Sequence, residues 1–259
     1  MKRILGVLLT FCICLVLSAC GGSSEIDYAY EKMEDAFEAA NGFSAVRVLA
    51  ESRTTVTYEQ SSTKRYTIES VQTSDLAYRV GDDGKILEMM GDYSVKESGK
   101  ETAYGIYFDG AFVYYADSET NRYEKRASEL ATLPGGDFFL CFGEDEVEDY
   151  RTFDEDGEIV CVFTVPFESA SPIAEKTYAS IADALSGSGI LYSSVVYEDI
   201  VARVRLDKDS GALIGYTYTY TATMTVNGKT AVVEGESECL VKASGSVSIT
   251  PPDLSLYDE

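Results

Sequence analysis

The sequence predicts an α+β fold: one large antiparallel sheet with two or three helices packed on one face. Three observations carry this prediction. Residues 215–226 read G-Y-T-Y-T-Y-T-A-T-M-T-V, so Tyr216, Tyr218, Tyr220, Ala222, Met224 and Val226 alternate with threonines. That period of two belongs to a strand with one apolar face and one hydroxyl face, whereas a 3.6-residue period would scatter the tyrosines around a helix axis. Asn227-Gly228 and Asp109-Gly110 each sit between alternating runs, and both dipeptides tolerate the positive φ of a tight hairpin turn. Helical stripes, by contrast, occur in only two or three segments, separated by long alternating stretches.

The first residues stand apart from that fold. Lys2 and Arg3 form a short positive region, and 4–17 is apolar but short for a membrane-spanning helix. Leu17-Ser18-Ala19-Cys20 then leads into Gly21-Gly22-Ser23-Ser24. The order of these parts resembles a bacterial lipoprotein signal, which implies cleavage after Ala19 and a lipid on the Cys20 thiol. An ordinary cleaved signal peptide with an incidental Cys20 is the plainer alternative. The expected organisation is a signal peptide over 1–19, a lipidated Cys20 with a short tether over 20–24, and a single domain over 25–259.

Residues 23–41 read as a helix. Ser24 and Asp27 make a capping pair, Ile26, Tyr30, Met33, Phe37 and Ala40 share a stripe, and Asn41-Gly42 stops it. Its polar face carries five acidic side chains and Lys32, so it suits packing on a sheet better than a membrane surface, where basic faces prevail. Strands follow at 44–58, 65–80 and 85–96, the last with Leu87, Met89, Tyr93 and Val95 on one face. The hairpin of 104–108 and 111–115 is apolar on both faces, which predicts a central position with cover on each side. A short helix over 127–133, an apolar knot at 138–142, and a hairpin of 146–153 and 158–165 come next. Ser171-Pro172 opens a second helix, with proline at a first-turn position, and Gly187-Ser188-Gly189 closes it.

A strand over 195–207 begins a C-terminal meander. A two-residue Asn227-Gly228 loop sets Val226 opposite Lys229, and the register follows: Tyr220 faces Gly235, Tyr218 faces Ser237 and Tyr216 faces Cys239. Each ring thus meets a small residue. On the other face Thr221, Thr219 and Thr217 meet Glu234, Glu236 and Glu238, a solvated surface.

Composition excludes several functions. The chain has 259 residues, 44 of them acidic and 21 basic, with no His and no Trp, for a net charge of −23. That charge argues against nucleic-acid phosphates and against anionic lipid held by a basic patch. Without His there is no Ser-His triad and few routes to catalytic zinc, and no phosphate-cradling glycine loop occurs. With so many acidic residues, carboxylate pairs arise by chance. Glu144-Asp145-Glu146 with Glu148-Asp149 reads as a solvated face, a calcium site being the lesser alternative, and the Asp-rich segments at 154–157 and 207–211 read as turns. No catalytic, metal or cofactor site is expected. Cys141, Cys161 and Cys239 lie among apolar residues and read as three buried thiols. One disulfide, Cys141 with Cys161, is the alternative that export permits.

Taken together, the signal, the helix-to-strand lead of 28–51, the hairpin Phe108-Asp109-Gly110 to Tyr115, and V-x-L-D-x-x-S-G-x-L at 204–213 resemble a Gram-positive bacterial lipoprotein family of LolA/LprG-like fold. The resemblance implies a curved antiparallel half-barrel with helices in its concavity. It further implies an extracytoplasmic protein, anchored to the bacterial cell membrane through Cys20, that binds a hydrophobic or acylated ligand without catalysis. Tyr216, Tyr218, Tyr220 and Met224 are the expected lining of that cavity. The same aromatic face can instead be plain core, in a cell-envelope lipoprotein that binds a protein partner and no lipid.

Overall fold

The computed structural model describes residues 22–41, 45–61, 64–80, 86–97, 99–117, 120, 122–127, 142–168, 192–226, 228–245 and 247–257. The described chain begins with one α-helix, α1 (Gly22–Asn41). Six strands follow: β1 (Ala45–Ser61), β2 (Lys64–Val80), β3 (Ile86–Glu97), β4 (Lys100–Phe108), β5 (Phe112–Asp117) and β6 (Arg122–Ala127). A 3₁₀ turn, Glu144–Glu146, precedes β7 (Asp149–Glu155) and β8 (Glu158–Val165). The remainder is β9 (Tyr192–Tyr197), β10 (Ile200–Asp207), β11 (Leu213–Val226), β12 (Lys229–Ser244) and a second 3₁₀ turn, Leu254–Leu256.

All twelve strands belong to one antiparallel sheet, in the order β6-β5-β4-β3-β2-β1-β12-β11-β10-β8-β7, with β9 also paired to β11. The sheet is not closed, and β6 and β7 are its edges. The described fold is therefore mostly β, with one α-helix rather than two or three. Apart from α1, the described segments carry the alternation of strands. The expected helices at 127–133 and 171–187 lie outside the described residues apart from Ala127, which ends β6.

The C-terminal hairpin follows the register that a two-residue loop dictates. Val226 pairs with Lys229, Tyr220 with Gly235, Tyr218 with Ser237 and Tyr216 with Cys239. Gly228 has φ of 77°, the left-handed backbone a tight turn requires. On the outer face Thr217, Thr219 and Thr221 meet Glu238, Glu236 and Glu234. The inner face carries the core. Ala29, Met33, Phe37 and Ala40 of α1 are buried against it, and the Phe37 ring lies 5.7 Å from that of Tyr216. Tyr30 donates its hydroxyl to the Phe142 carbonyl at 2.8 Å, which ties the helix to the segment before β7.

Three expectations change. The 195–207 strand is divided into β9 and β10. Tyr197 pairs with Ala222 and Val201 with Thr219, so three residues oppose two and a bulge falls at Glu198–Asp199. The 104–115 hairpin is not central but lies next to edge strand β6. Its second apolar face is covered by the C-terminal tail, since the Tyr257 ring packs edge-on against Tyr114 at 5.4 Å. Leu87 does not join Met89 on the core face. The β2–β3 register slips between Arg79 and Val80, which leaves Leu87 as the extra residue and 50% exposed. Cys161 is a buried free thiol in β8, Cys239 is buried in β12, and Cys141 lies outside the described residues.

Candidate binding site on the inner face

One continuous row of side chains crosses the inner face. Tyr216 lies opposite Cys239, Cys239 opposite Ala50, Ala50 opposite Ser74, Ser74 opposite Tyr93, and Tyr93 opposite Tyr104. The two ends of this row differ. At the β10–β11 end α1 covers the sheet. There Tyr216, Tyr218, Tyr220 and Met224 are only 2–6% exposed and belong to the core cluster. The Tyr220 hydroxyl lies 3.2 Å from Thr54 Oγ1, so its polar end is satisfied within the core. Cys20 lies outside the described residues.

At the β3–β6 end a cavity of about 360 Å³ opens on the same face. Tyr93, Tyr104 and Tyr115 form its aromatic wall, and Arg122, Glu124 and Arg126 of β6 form its charged rim. Strand geometry explains the composition. Tyr115 pairs with Glu124, and Asp117 pairs with Arg122, so alternate β6 residues join the tyrosines on one face. The rings of Tyr104 and Tyr115 meet edge-on at 6.4 Å, and the Arg126 guanidinium lies over the Tyr115 ring at 5.3 Å.

Charge at the rim is shared. Arg122 reaches Glu124 at 2.6 Å, and Arg126 Nε donates to the same carboxylate at 2.9 Å. The Arg126 hydrogen bond holds the Glu124 carboxyl below the usual carboxylate range. Burial pushes the Tyr115 phenol up, with Arg126 opposing it. Asp117, the remaining charge on the lining, accepts the Thr120 N–H at 3.1 Å and so also serves the β5–β6 turn.

Sequence reasoning leaves 116–126 without an element and misses this rim. The available signal is slight: Arg122, Glu124 and Arg126 fall at every second position, but Lys125 between them is charged too, so neither charge nor apolar residues set a clear period of two. A polar network near this end of the sheet lies on the outer face. Tyr107 donates to Glu88 at 2.7 Å, and Arg79 pairs with that carboxylate at 2.5 Å. Burial and then the Glu88 hydrogen bond raise the Tyr107 phenol far above its ordinary value, so it stays protonated as a donor. Among the described residues no group of three His, Cys, Asp or Glu could hold a metal ion, and no helix is long and apolar enough to cross a membrane.

No protein-family model matches the chain, and no curated relative does. Among solved structures, it is similar to the LolA superfamily protein NE2245 from Nitrosomonas europaea. The identity is 8% and the TM-score 0.24, over 81% of this chain and 93% of that one. It is also similar to a DUF1329 family protein from Desulfovibrio piger, at 10% identity and a TM-score of 0.24, over 87% of this chain and 94% of that one. Likeness at that TM-score carries no functional argument.

Proposed function

We propose that the chain is an extracytoplasmic lipoprotein, anchored to the bacterial cell membrane through Cys20, that holds a hydrophobic or acylated ligand on the inner face of its sheet and catalyses no reaction. The observation that carries the binding half is the cavity at the β3–β6 end. It is aromatic-walled, it adjoins the core, and it lies on the face whose other end α1 covers. Its lining joins three tyrosines to four charged side chains, and convergent polar groups beside an aromatic wall can orient a bound small molecule. The anchor rests on the signal-like order of residues 1–24. Two acyl chains on Cys20, at about 0.8 kcal/mol per buried methylene, make a stable attachment.

Tyr216, Tyr218, Tyr220 and Met224 continue the same face beneath α1. Their close packing favours a second reading at that end: an envelope interaction protein with a filled core, whose Thr/Glu outer face meets a protein partner. Native mass spectrometry of the chain from Gly21 to Glu259, which lacks Cys20 and any anchor of its own, separates the two. Co-purified lipid that leaves on mild organic extraction, with the protein still folded, supports the ligand-holding reading. A clean apo mass after expression in a lipid-rich host supports the interaction protein.

A further inference from the structure

We propose that the β3–β6 cavity selects an amphiphile with an anionic head, a phosphate or a carboxylate. Arg122 and Arg126 bind the head, and Tyr93, Tyr104 and Tyr115 cover the first part of the apolar chain. This rests on the ligand-binding reading above and specifies its chemistry.

The rim supplies the reason. The chain is strongly acidic, yet β6 sets two guanidinium groups on one wall of one cavity. Each guanidinium offers five N–H donors in a fixed fork and no acceptor. Both share the single Glu124 carboxylate, and Asp117 is engaged by its own turn. Counting Asp117, the formal charges of the lining balance, so donor number rather than net charge decides. Each fork spends only part of its donors on Glu124, and the N–H groups left on these exposed guanidiniums suit an oxyanion. The guanidinium groups are also accessible, since the side chains of Arg122 and Arg126 are 74% and 64% exposed while that of Glu124 is 25% exposed. Glu124 therefore acts as a fixed post that orients both forks. The Arg126 plane already lies over Tyr115, which places the head beside the aromatic wall.

The test is calorimetric titration of residues 20–259 carrying Cys20→Ser, the mature chain of the proposed reading without its lipid or the apolar signal segment. The probes are decyl phosphate, decanoate, decanol and inorganic phosphate. The expected result is decyl phosphate and decanoate about tenfold tighter than decanol, consistent with charge-assisted bidentate contacts, and inorganic phosphate weaker than decyl phosphate. Arg122→Gln with Arg126→Gln leaves Glu124 and Asp117 uncompensated, so both anionic amphiphiles should fall to the affinity of decanol or below it, while decanol itself changes least. Arg122→Gln alone, at the more exposed position, should remove part of that preference with no risk to the fold. Equal binding of decanol and the anions, or a preference that survives both substitutions, overturns the head-group assignment while the hydrophobic-ligand reading stands. Inorganic phosphate as tight as decyl phosphate also overturns it, in favour of a free-anion site. Failure of every probe, decanol included, overturns the ligand-binding reading itself.

Discussion

Tyr220 lies directly over Gly235. A Cβ built on Gly235 would sit 1.9 Å from the Tyr220 ring carbon Cζ and 2.3 Å from its hydroxyl. The ring occupies the volume a side chain would take, and its hydroxyl lies beside Thr54 two strands away. Glycine stands here for space rather than for backbone freedom. Gly235→Ala should therefore destabilise the fold by roughly 1–3 kcal/mol, the usual range for overpacking a filled core. Adding Tyr220→Leu should recover part of the loss, because the ring is the clashing partner. Chemical denaturation of the two single variants and the double variant measures this coupling. Strict additivity would contradict the contact.

The packing of Tyr218 and Met224 decides what a charge does there. Both are almost fully buried in the core cluster. Tyr218→Glu with Met224→Glu places two carboxylates in a cluster that, among the described residues, holds no cationic side chain, and desolvation of unpaired charge is among the largest single costs in a protein. The expected outcome is loss of the cooperative unfolding transition. A variant that stays folded but no longer retains lipid would instead place these residues in a ligand wall. Circular dichroism combined with lipid extraction separates the outcomes.

The outer face offers a pH handle. Arg205 holds Glu158 in a bidentate pair at 2.7 and 2.8 Å, both side chains being part-buried. That hydrogen bond keeps the Glu158 carboxyl below its ordinary range. A carboxylate with a depressed folded-state pKa adds stability above its unfolded pKa and loses it as pH falls through the folded value. Arg205→Ala should thus cost roughly 0.5–1 kcal/mol at neutral pH. The difference from wild type should shrink as pH drops below the carboxylate range. A difference independent of pH, read from denaturation at several pH values, would contradict the pairing.

The C-terminal tail contributes through one ring. Tyr257 lies edge-on to Tyr114 at 5.4 Å and to Tyr123 at 5.3 Å, and so shields the outer side of β5 and β6. Asp253 accepts the Ser255 N–H at 3.0 Å and shapes the turn that delivers it. Aromatic pairs add about 0.5–1.5 kcal/mol each beyond area burial. Tyr257→Ala should cost roughly 1–2 kcal/mol. It should also raise amide hydrogen exchange in β5 and β6 more than in β10 and β11. Uniform exchange would show that the tail does not brace that edge.

The legible parts of this fold are those where local chemistry determines pairing. Alternation along 215–226 with a glycine turn specifies a register, and every pair from Val226–Lys229 to Tyr216–Cys239 follows it. The acidic turn at 207–211 is equally readable, since Asp207 accepts the Ser210 N–H and hydroxyl at 2.8 and 2.6 Å. What depends on distant chain is not legible. The two-faced apolar hairpin suggests a central place, but its outer cover comes from Tyr257, more than a hundred residues away in the chain. Leu87 obeys the strand period until a bulge turns it out, and a bulge leaves no mark in a pattern of two. The rim of the cavity is hidden for a related reason. β6 has no apolar alternation to mark it, and only its pairing with β5 brings Arg122, Glu124 and Arg126 against Tyr115.

The central claim is that an acyl ligand sits at the β3–β6 end of the inner face, and photo-crosslinking locates it directly. A diazirine-bearing fatty acid is bound to the protein, irradiated, and the labelled peptides identified by mass spectrometry. Label concentrated on peptides holding Tyr93, Tyr104, Tyr115 and the β6 residues, and competed away by unlabelled fatty acid, is the predicted result. Label on the outer Thr/Glu face, or label that unlabelled fatty acid does not displace, would contradict it.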